Sequence, residues 1–333
     1  MTSYSYNRKY ELIVSQPFEE ADTSGQFLTN PLYNDYTFYK VAEDYRKVSK
    51  LRNVAITSLH FTCKIKRNTG GGANTDSAVI EIYNLNKDNE SIVQNVGNYV
   101  VLNAGYENQE DNLPMVYSGQ VSDCYTEQRG QDLVTILMCK DGYIPLNSVR
   151  LSYSKPKGSS YASIIKDISN VFKANGVQIG EMVLNTPSGT APFRTGSFAD
   201  TVKATKGWSF MGYARDAMTE LCDSIDYKWE IINNTLYVYP NWWRNLTTTV
   251  TVSTSNILSV QKQRKGTNAT SSNKAKDQEG LKVKLLLDGR ITKSAKLSIE
   301  DGEYRGTYKI ETVSHDLSYE GQQWWTEVDV IKT

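Results

Sequence analysis

Gly280-Leu281-Lys282-Val283-Lys284-Leu285-Leu286-Leu287-Asp288-Gly289-Arg290-Ile291 opens a tract that continues through Gly306-Thr307-Tyr308-Lys309-Ile310-Glu311-Thr312-Val313-Ser314-His315 to Trp324-Trp325-Thr326-Glu327-Val328-Asp329-Val330. Apolar and polar residues alternate in each run, and Asp-Gly, Gly and Glu-Gly signals separate them. That pattern predicts three short strands of a small antiparallel barrel. No nucleophile motif, metal cluster or phosphate loop interrupts it. A domain of strands and turns alone points toward scaffolding or binding.

The tract belongs to a chain of 333 residues, long enough for two or three domains with a buried core. The 37 basic residues balance the 37 acidic ones, so no bulk field draws the chain to nucleic acid or to an anionic membrane. Tyrosine is frequent, at 22, which suits both strands and interfaces. Cys63, Cys124, Cys139 and Cys222 show no metal-ligand spacing, and His60 and His315 are the only histidines to complete a site. Cys63, in phase with Phe61 and Ile65, and Cys139 read as small buried hydrophobes. No disulfide is required, which fits a reducing cytosol. The N-terminus carries no apolar signal core and no stretch reaches membrane-spanning length, so no membrane anchor is expected.

Residues 1–150 read almost wholly as strands, at Tyr10–Ser15, Leu59–Lys66, Ala78–Leu85, Tyr99–Ala104, Met115–Val121 and Leu133–Cys139. A long polar connection over 16–51 separates the first two. Residues 151–245 change character. Ser159-Ser160 cap a helix to about Ala174, and Ser209 caps a second, with Phe210, Met211, Ala214, Ala217, Met218, Leu221 and Ile225 at helical spacing. A hairpin over Tyr227–Tyr239 turns at Asn233-Asn234, and Pro240 ends it. Residues 246–333 return to strands at Thr247–Val252 and Ile257–Gln263, then the opening tract. Gly266 to Glu279, rich in Ser, Asn, Thr and Lys, cannot bury a core and reads as a loop. The expected fold is mainly β with an α+β insertion, two small antiparallel barrels flanking a two-helix module.

The sequence excludes more chemistry than it offers. The glycine-rich turn Asn68-Thr69-Gly70-Gly71-Gly72-Ala73-Asn74 is followed by a strand, where a phosphate loop needs a helix. Glu19-Glu20 and Glu300-Asp301-Glu303 lie in turn-like, solvated contexts, unlike the paired carboxylates of a hydrolase. His315 has no Gly-x-Ser-x-Gly partner and reads as structural. Gly289-Arg290 and Asp301-Gly302-Glu303 are too short to define a site, and the latter lacks the spaced oxygens of a calcium loop. Tandem tryptophans within a strand point to opposite faces, so at most one of each pair enters the core. Trp242, Trp243, Trp324 and Trp325 are therefore candidates for subunit contact or for stacking on sugar. No catalytic, cofactor or metal residue is assigned.

The order of these pieces resembles a known family, the tail or baseplate hub proteins of tailed bacteriophages, related to the spike-hub proteins of contractile injection systems. Leu59-His60-Phe61-Thr62-Cys63-Lys64-Ile65 carries it first. Asn74 with Ala78-Val79-Ile80-Glu81-Ile82-Tyr83-Asn84-Leu85, Val101-Leu102-Asn103-Ala104-Gly105-Tyr106 and Val116-Tyr117-Ser118-Gly119-Gln120-Val121 follow. The middle matches through Phe210–Cys222 and Tyr227-Lys228-Trp229-Glu230-Ile231, and the end through Gly280–Leu287, Gly306–Ile310, Val313-Ser314-His315 and Trp325-Thr326. Coverage is nearly the whole chain. The resemblance implies a homotrimeric ring in which the two barrels alternate with pseudo-sixfold symmetry. Such a ring joins a sixfold tail tube protein to a threefold central spike protein, touches other baseplate proteins, encloses part of a DNA-passage channel without specific nucleic-acid binding, and resides in a virion assembled in the host cytoplasm. It implies no cofactor and no enzyme. These 333 residues show no obvious counterpart of the fourth domain or the fused lysozyme of larger hubs, so neither is expected. Two other readings compete: a carbohydrate-binding β protein using the tryptophans, and a cell-wall hydrolase.

Overall fold

The computed structural model describes residues 7–16, 53–67, 72, 75–107, 113–185, 198–241, 249–265, 278–292 and 295–332. The fold is mainly β. Its first part contains β1 (Arg8–Ser15), β2 (Asn53–Ile56), β3 (Phe61–Arg67), β4 (Ser77–Tyr83), a short helix α1 (Lys87–Val93), β5 (Tyr99–Tyr106), β6 (Met115–Arg129) and β7 (Asp132–Lys140). A middle module follows with α2 (Tyr143–Ser148), β8 (Arg150–Lys155), α3 (Tyr161–Ala174), β9 (Gln178–Met182), β10 (Trp208–Tyr213), α4 (Ala214–Ser224), β11 (Tyr227–Ile232) and β12 (Thr235–Pro240). The last part holds β13 (Thr249–Val252), β14 (Ile257–Lys265), β15 (Gln278–Leu286), β16 (Lys296–Ile299), β17 (Gly306–Ser318) and β18 (Trp324–Lys332).

The first and last parts form one 13-stranded sheet, because β17 pairs antiparallel with β3 from Val313↔Arg67 to Ser318↔Thr62. Two separate barrels were expected; among the described pairings neither part closes on itself, and the hydrogen-bonding edge of each is used to join the other. Along this sheet the order β14-β15-β18-β17-β3-β4-β7-β6 is antiparallel at every step. Two smaller layers cover it. The β2, β1, β5 group joins through the first half of β6, and β13 with β16 joins through the first half of β17.

Side chains alternate as the sequence pattern requires. In β3, Phe61, Cys63, Ile65 and Arg67 point inward and Lys64 and Lys66 are exposed. One core gathers the first layer pair around Tyr10, Phe61, Ile80, Leu102 and Tyr117; another gathers the last part around Val283, Leu297, Val313 and Val328. The middle module has its own core, with Ile164, Ile168 and Phe172 of α3 against Met218 and Leu221 of α4 and Trp229 of β11. Ser160 caps α3 by accepting from the Ser163 amide at 3.3 Å, as its sequence predicted. The second helix starts later than expected. Trp208 to Tyr213 form a strand paired with β8, and the helix begins at Ala214. The aromatic residues suit a strand and Gly212 weakens a helix, and pairing with Arg150–Lys155 overrides the apolar spacing that suggests a helix from Ser209. The Asn233-Asn234 turn is as read, with φ of 49° and 61°, the left-handed pair of a two-residue hairpin.

Candidate functional site

The chain repeats itself. Strands β3, β4, β5, β6 and β7 take the same places in their part as β14, β15, β16, β17 and β18 do in theirs. The sheet order β3-β4-β7-β6 matches β14-β15-β18-β17, and β5 lies on the first half of β6 as β16 lies on the first half of β17. Both long strands carry a bulge where they change layers, at Val121/Asp123 and at Ile310/Thr312. Beyond each bulge an inward hydroxyl pairing recurs. The Thr126 and Thr135 hydroxyls lie 3.3 Å apart across β6 and β7, and His315 Nδ1 lies 2.9 Å from Thr326 Oγ1 across β17 and β18.

What the second half of β17 meets is the junction between the two parts. Arg67, fully enclosed on β3, bonds Asp76 Oδ2 at 2.9 Å and the Val116 carbonyl at 2.6 Å, with its Nε 3.5 Å from His315 Nε2. Burial, and next the Arg67 charge, hold the His315 imidazole well below its usual range, so it is neutral. Sealed at 0% exposure, His315 cannot reach a substrate and serves as a spacer between Arg67 and Thr326. The junction is closed further by Trp324, whose ring meets Phe61 edge-on at 6.2 Å and whose indole N–H donates to the Gly105 carbonyl at 3.3 Å. Arg8 lies over that ring and donates to the carbonyls of Ser318, Tyr319, Gly321 and Gln322, clasping the β17–β18 turn.

The middle module is held at a second junction. The Asn234 amide donates to Asp141 Oδ1 at 2.8 Å, and Asp141 Oδ2 is buried with no partner. Burial, then the nearby Asp76 charge, push the Asp141 carboxyl up to about 7, against the pull of the Asn234 and Asn233 amides. Gly142, at φ +61°, lets Ile231 approach so closely that a Cβ would sit 3.1 Å from its Cδ1.

Of the tryptophans singled out, Trp324 is 3% exposed and committed to the core, whereas Trp325 is half-buried on the opposite face. There Lys284 sits 3.3 Å from the ring centroid, and the indole N–H donates to Asp316 Oδ2 at 3.3 Å. Trp242 and Trp243 lie outside the described residues, as do most of the 16–51 connection, residues 266–277 and most of the Asn68–Asn74 turn; of the loop expected over Gly266 to Glu279, Gln278 and Glu279 instead open β15. Cys63 and Cys139 are buried with their thiols pushed up, as inert small hydrophobes. Among the described residues no group of His, Cys, Asp and Glu could hold a metal ion, and no helix is long and apolar enough to cross a membrane. Sequence reasoning missed Arg67, Asp76 and Asp141: Arg67 and Asp76 meet across the β3–β4 connection, and their other partners Val116 and His315, like Asn234 for Asp141, lie far along the chain. The one signal was an arginine in phase with Cys63 and Ile65 on an otherwise apolar face.

This arrangement of strands and module occurs in solved structures. Across 84% of this chain and 94% of the other, it matches the 43 kDa tail protein of prophage MuSo2 from Shewanella oneidensis, with a TM-score of 0.54 at 9% identity. The chain has the fold of phage tail proteins. The same fold appears in the E. coli c3393 protein, a component of the type VI secretion system with structural similarity to T4 bacteriophage tail proteins gp27 and gp5 (TM-score 0.52, 6% identity, 82% of this chain and 73% of that one). It also covers 98% of this chain and 58% of one in the Francisella PdpA–VgrG complex, at a TM-score of 0.56 and 8% identity. No protein-family model and no curated protein matches the sequence. In the phage tail fold described here, the described geometry offers two sealed polar junctions and a broad sheet face.

Proposed function

We propose that this chain is a structural hub of a phage tail or related injection machine. In this reading three copies close into a ring, residues 1–150 and 246–333 act as its alternating barrel-like units, and 151–245 project as a module between them. The ring joins a tail tube protein to a central spike protein, with other baseplate proteins around it, in an assembled virion. The observation that carries the reading is the five-strand repeat fused into one sheet, in the fold of known tail proteins.

The sheet's face remote from the cores would line the channel. Lys64, Lys66, Lys282 and Lys284 alternate there with Glu81, Asp316, Glu327 and Asp329, and Lys282 pairs with Glu327 at 2.6 Å. A wall of balanced charge gives a passing polyanion no run of cations to bind, so DNA slides past it. The sugar-binding reading loses Trp324, which is inside the fold. Co-expression with a tail tube protein and a central spike protein from the same genome tests the proposal. The expected outcome is a complex whose electron micrographs show a threefold ring with a central channel. Failure to bind either protein would overturn it.

A further inference from the structure

A groove of about 900 Å³ opens where the first and last parts meet, a volume within the roughly 300–1,000 Å³ of ligand sites. Its walls come from the start of β1, the end of β5, the β17–β18 turn, and the adjoining ends of β14 and β15. The ladders place it. Phe61 opposes Ile82, Thr62 opposes Ser318, and Leu317 opposes Trp324 at this end of the sheet. Arg67 and the Ser77↔Lys140 pair lie at the other end, where the chain departs for the middle module. The groove is therefore open on the end of the sheet that the module leaves bare.

Its chemistry is two-sided. β14 slips register between Ile257 and Ser259, and the residue at the slip, Leu258, is 51% exposed. A bulge re-aims a side chain, and this one turns a leucine onto a groove wall that also carries half-buried Leu286. The rim bears two exposed carboxylates, Glu107 and Glu320. Glu107 accepts from the Asn7 side-chain amide at 2.6 Å, and Glu320 lies 3.8 Å from His60 Nδ1, which accepts from the Glu320 backbone amide at 3.3 Å. Among the described residues neither carboxylate meets a lysine or an arginine. The cation of the lining, Arg8, has its guanidinium over Trp324 and on the carbonyls of Ser318, Tyr319, Gly321 and Gln322, so its donors are committed to the wall itself. Lys284 likewise covers Trp325, with Asp316 accepting from the indole N–H.

We propose that this groove docks a basic peptide segment of another protein, seating an apolar side chain against Leu258 and Leu286 and setting flanking lysine or arginine side chains on Glu107 and Glu320. The site belongs to the single chain and does not rest on the ring reading above. Charge complementarity selects the occupant. An acidic segment would face two like charges, and a purely apolar one would bury carboxylates without a partner. A sugar finds no free tryptophan face, because Arg8 covers Trp324 and Lys284 covers Trp325. The leucines supply most of the affinity, since apolar burial is not screened by salt, and the exposed carboxylates set the sign and the salt dependence.

The test uses the full-length chain and an array of hexapeptides. Their central positions run through leucine, isoleucine, phenylalanine and tryptophan, and their flanking positions are all lysine, all arginine or all glutamate. Basic members should bind saturably and glutamate members at least about tenfold more weakly, with the difference shrinking in high salt. By fluorescence anisotropy with the best basic member, Leu258→Ser should weaken binding about tenfold, and Glu107→Gln with Glu320→Gln about fivefold. Glu300→Gln, exposed and outside the groove, should leave binding unchanged. These positions are all exposed, so the fold is kept, and matching thermal melts verify it. No saturable binding, or binding that the groove variants do not weaken, overturns the site. Equal binding of basic and glutamate members overturns the basic occupant. Two further results would assign another occupant and overturn the proposal: binding seen only after residues 2–6 are deleted, or self-association that Leu258→Ser abolishes.

Discussion

The two five-strand units are built on one plan and differ in what their long strand meets after its bulge. In the later unit, β17 meets β3, and a buried charged arginine, a neutral histidine and a threonine fill the seam. In the earlier unit, Thr126 stands where His315 stands, and helix α1 supplies Glu90 and Gln94 to its hydroxyl in place of an arginine from a neighbouring strand. A filled edge can carry fully desolvated polar groups because the partner strand completes their bonds. An open one keeps its polar groups on a local helix where water still reaches them.

Emptying the filled seam should have the largest effect. Arg67→Ala leaves Asp76 buried without its cation and removes a donor to the Val116 carbonyl, and should cost ~3–5 kcal/mol by chemical denaturation. Arg129→Ala, in the earlier unit and paired with Glu81 and Glu127 at the solvated surface, should cost several-fold less. Equal losses would mean the two edges are energetically alike. Trp324→Ala should cost about as much as Arg67→Ala, ~3–5 kcal/mol, since it opens a cavity against Phe61 and unpairs the Gly105 carbonyl.

Next in size is pH. His315 has a folded pKa below its unfolded value, so its contribution is present above about pH 6.5 and is lost as pH falls. Asp141 has the opposite sign. Its folded pKa, raised from 3.8 to about 7, contributes stability that is complete below about pH 4 and is lost as pH rises through 7. The loss is on the order of 2–4 kcal/mol between those limits. Between about pH 4 and 6.5 the two slopes oppose each other, so stability should be nearly flat there, falling below that window as His315 charges and above it as Asp141 finishes ionising. Asp141→Asn should flatten the alkaline side and His315→Asn the acid side. Hydrogen exchange should place the alkaline loss at the Asn233-Asn234 turn, the contact of the middle module, and the acid loss at β17 and β3.

The sequence made the strands legible wherever alternation was strict. The runs at Tyr99, Met115 and Trp324 start where expected, and the cap of α3 lies at Ser160. It hid the second half of β6, because Ser122-Asp123-Cys124-Tyr125-Thr126-Glu127-Gln128-Arg129 has too few apolar residues to read as a strand. An edge that faces water on one side needs few of them. It hid α1 and α2, each shorter than two turns and without a full apolar stripe. It also hid the fusion of the two units, since β17–β3 pairing links residues about 250 apart, a distance local pattern cannot see.

The smallest effect gives the finest comparison, because Trp324 and its neighbour Trp325 differ only in the face they occupy. Trp325 opposes Leu286 and Asp316 on the core-remote face, under the Lys284 ammonium. A cation over a partly solvated indole contributes roughly 0.5–1 kcal/mol, and the indole bond to Asp316 is of similar size. Trp325→Ala should therefore lower the stability of the isolated chain by about 1 kcal/mol, several-fold less than Trp324→Ala. If this face lines a channel in a ring, assembly leaves Trp325 uncovered, and the assembled particle should lose no more stability than the free chain does. A larger loss in the particle would move Trp325 from the channel wall to a contact between subunits.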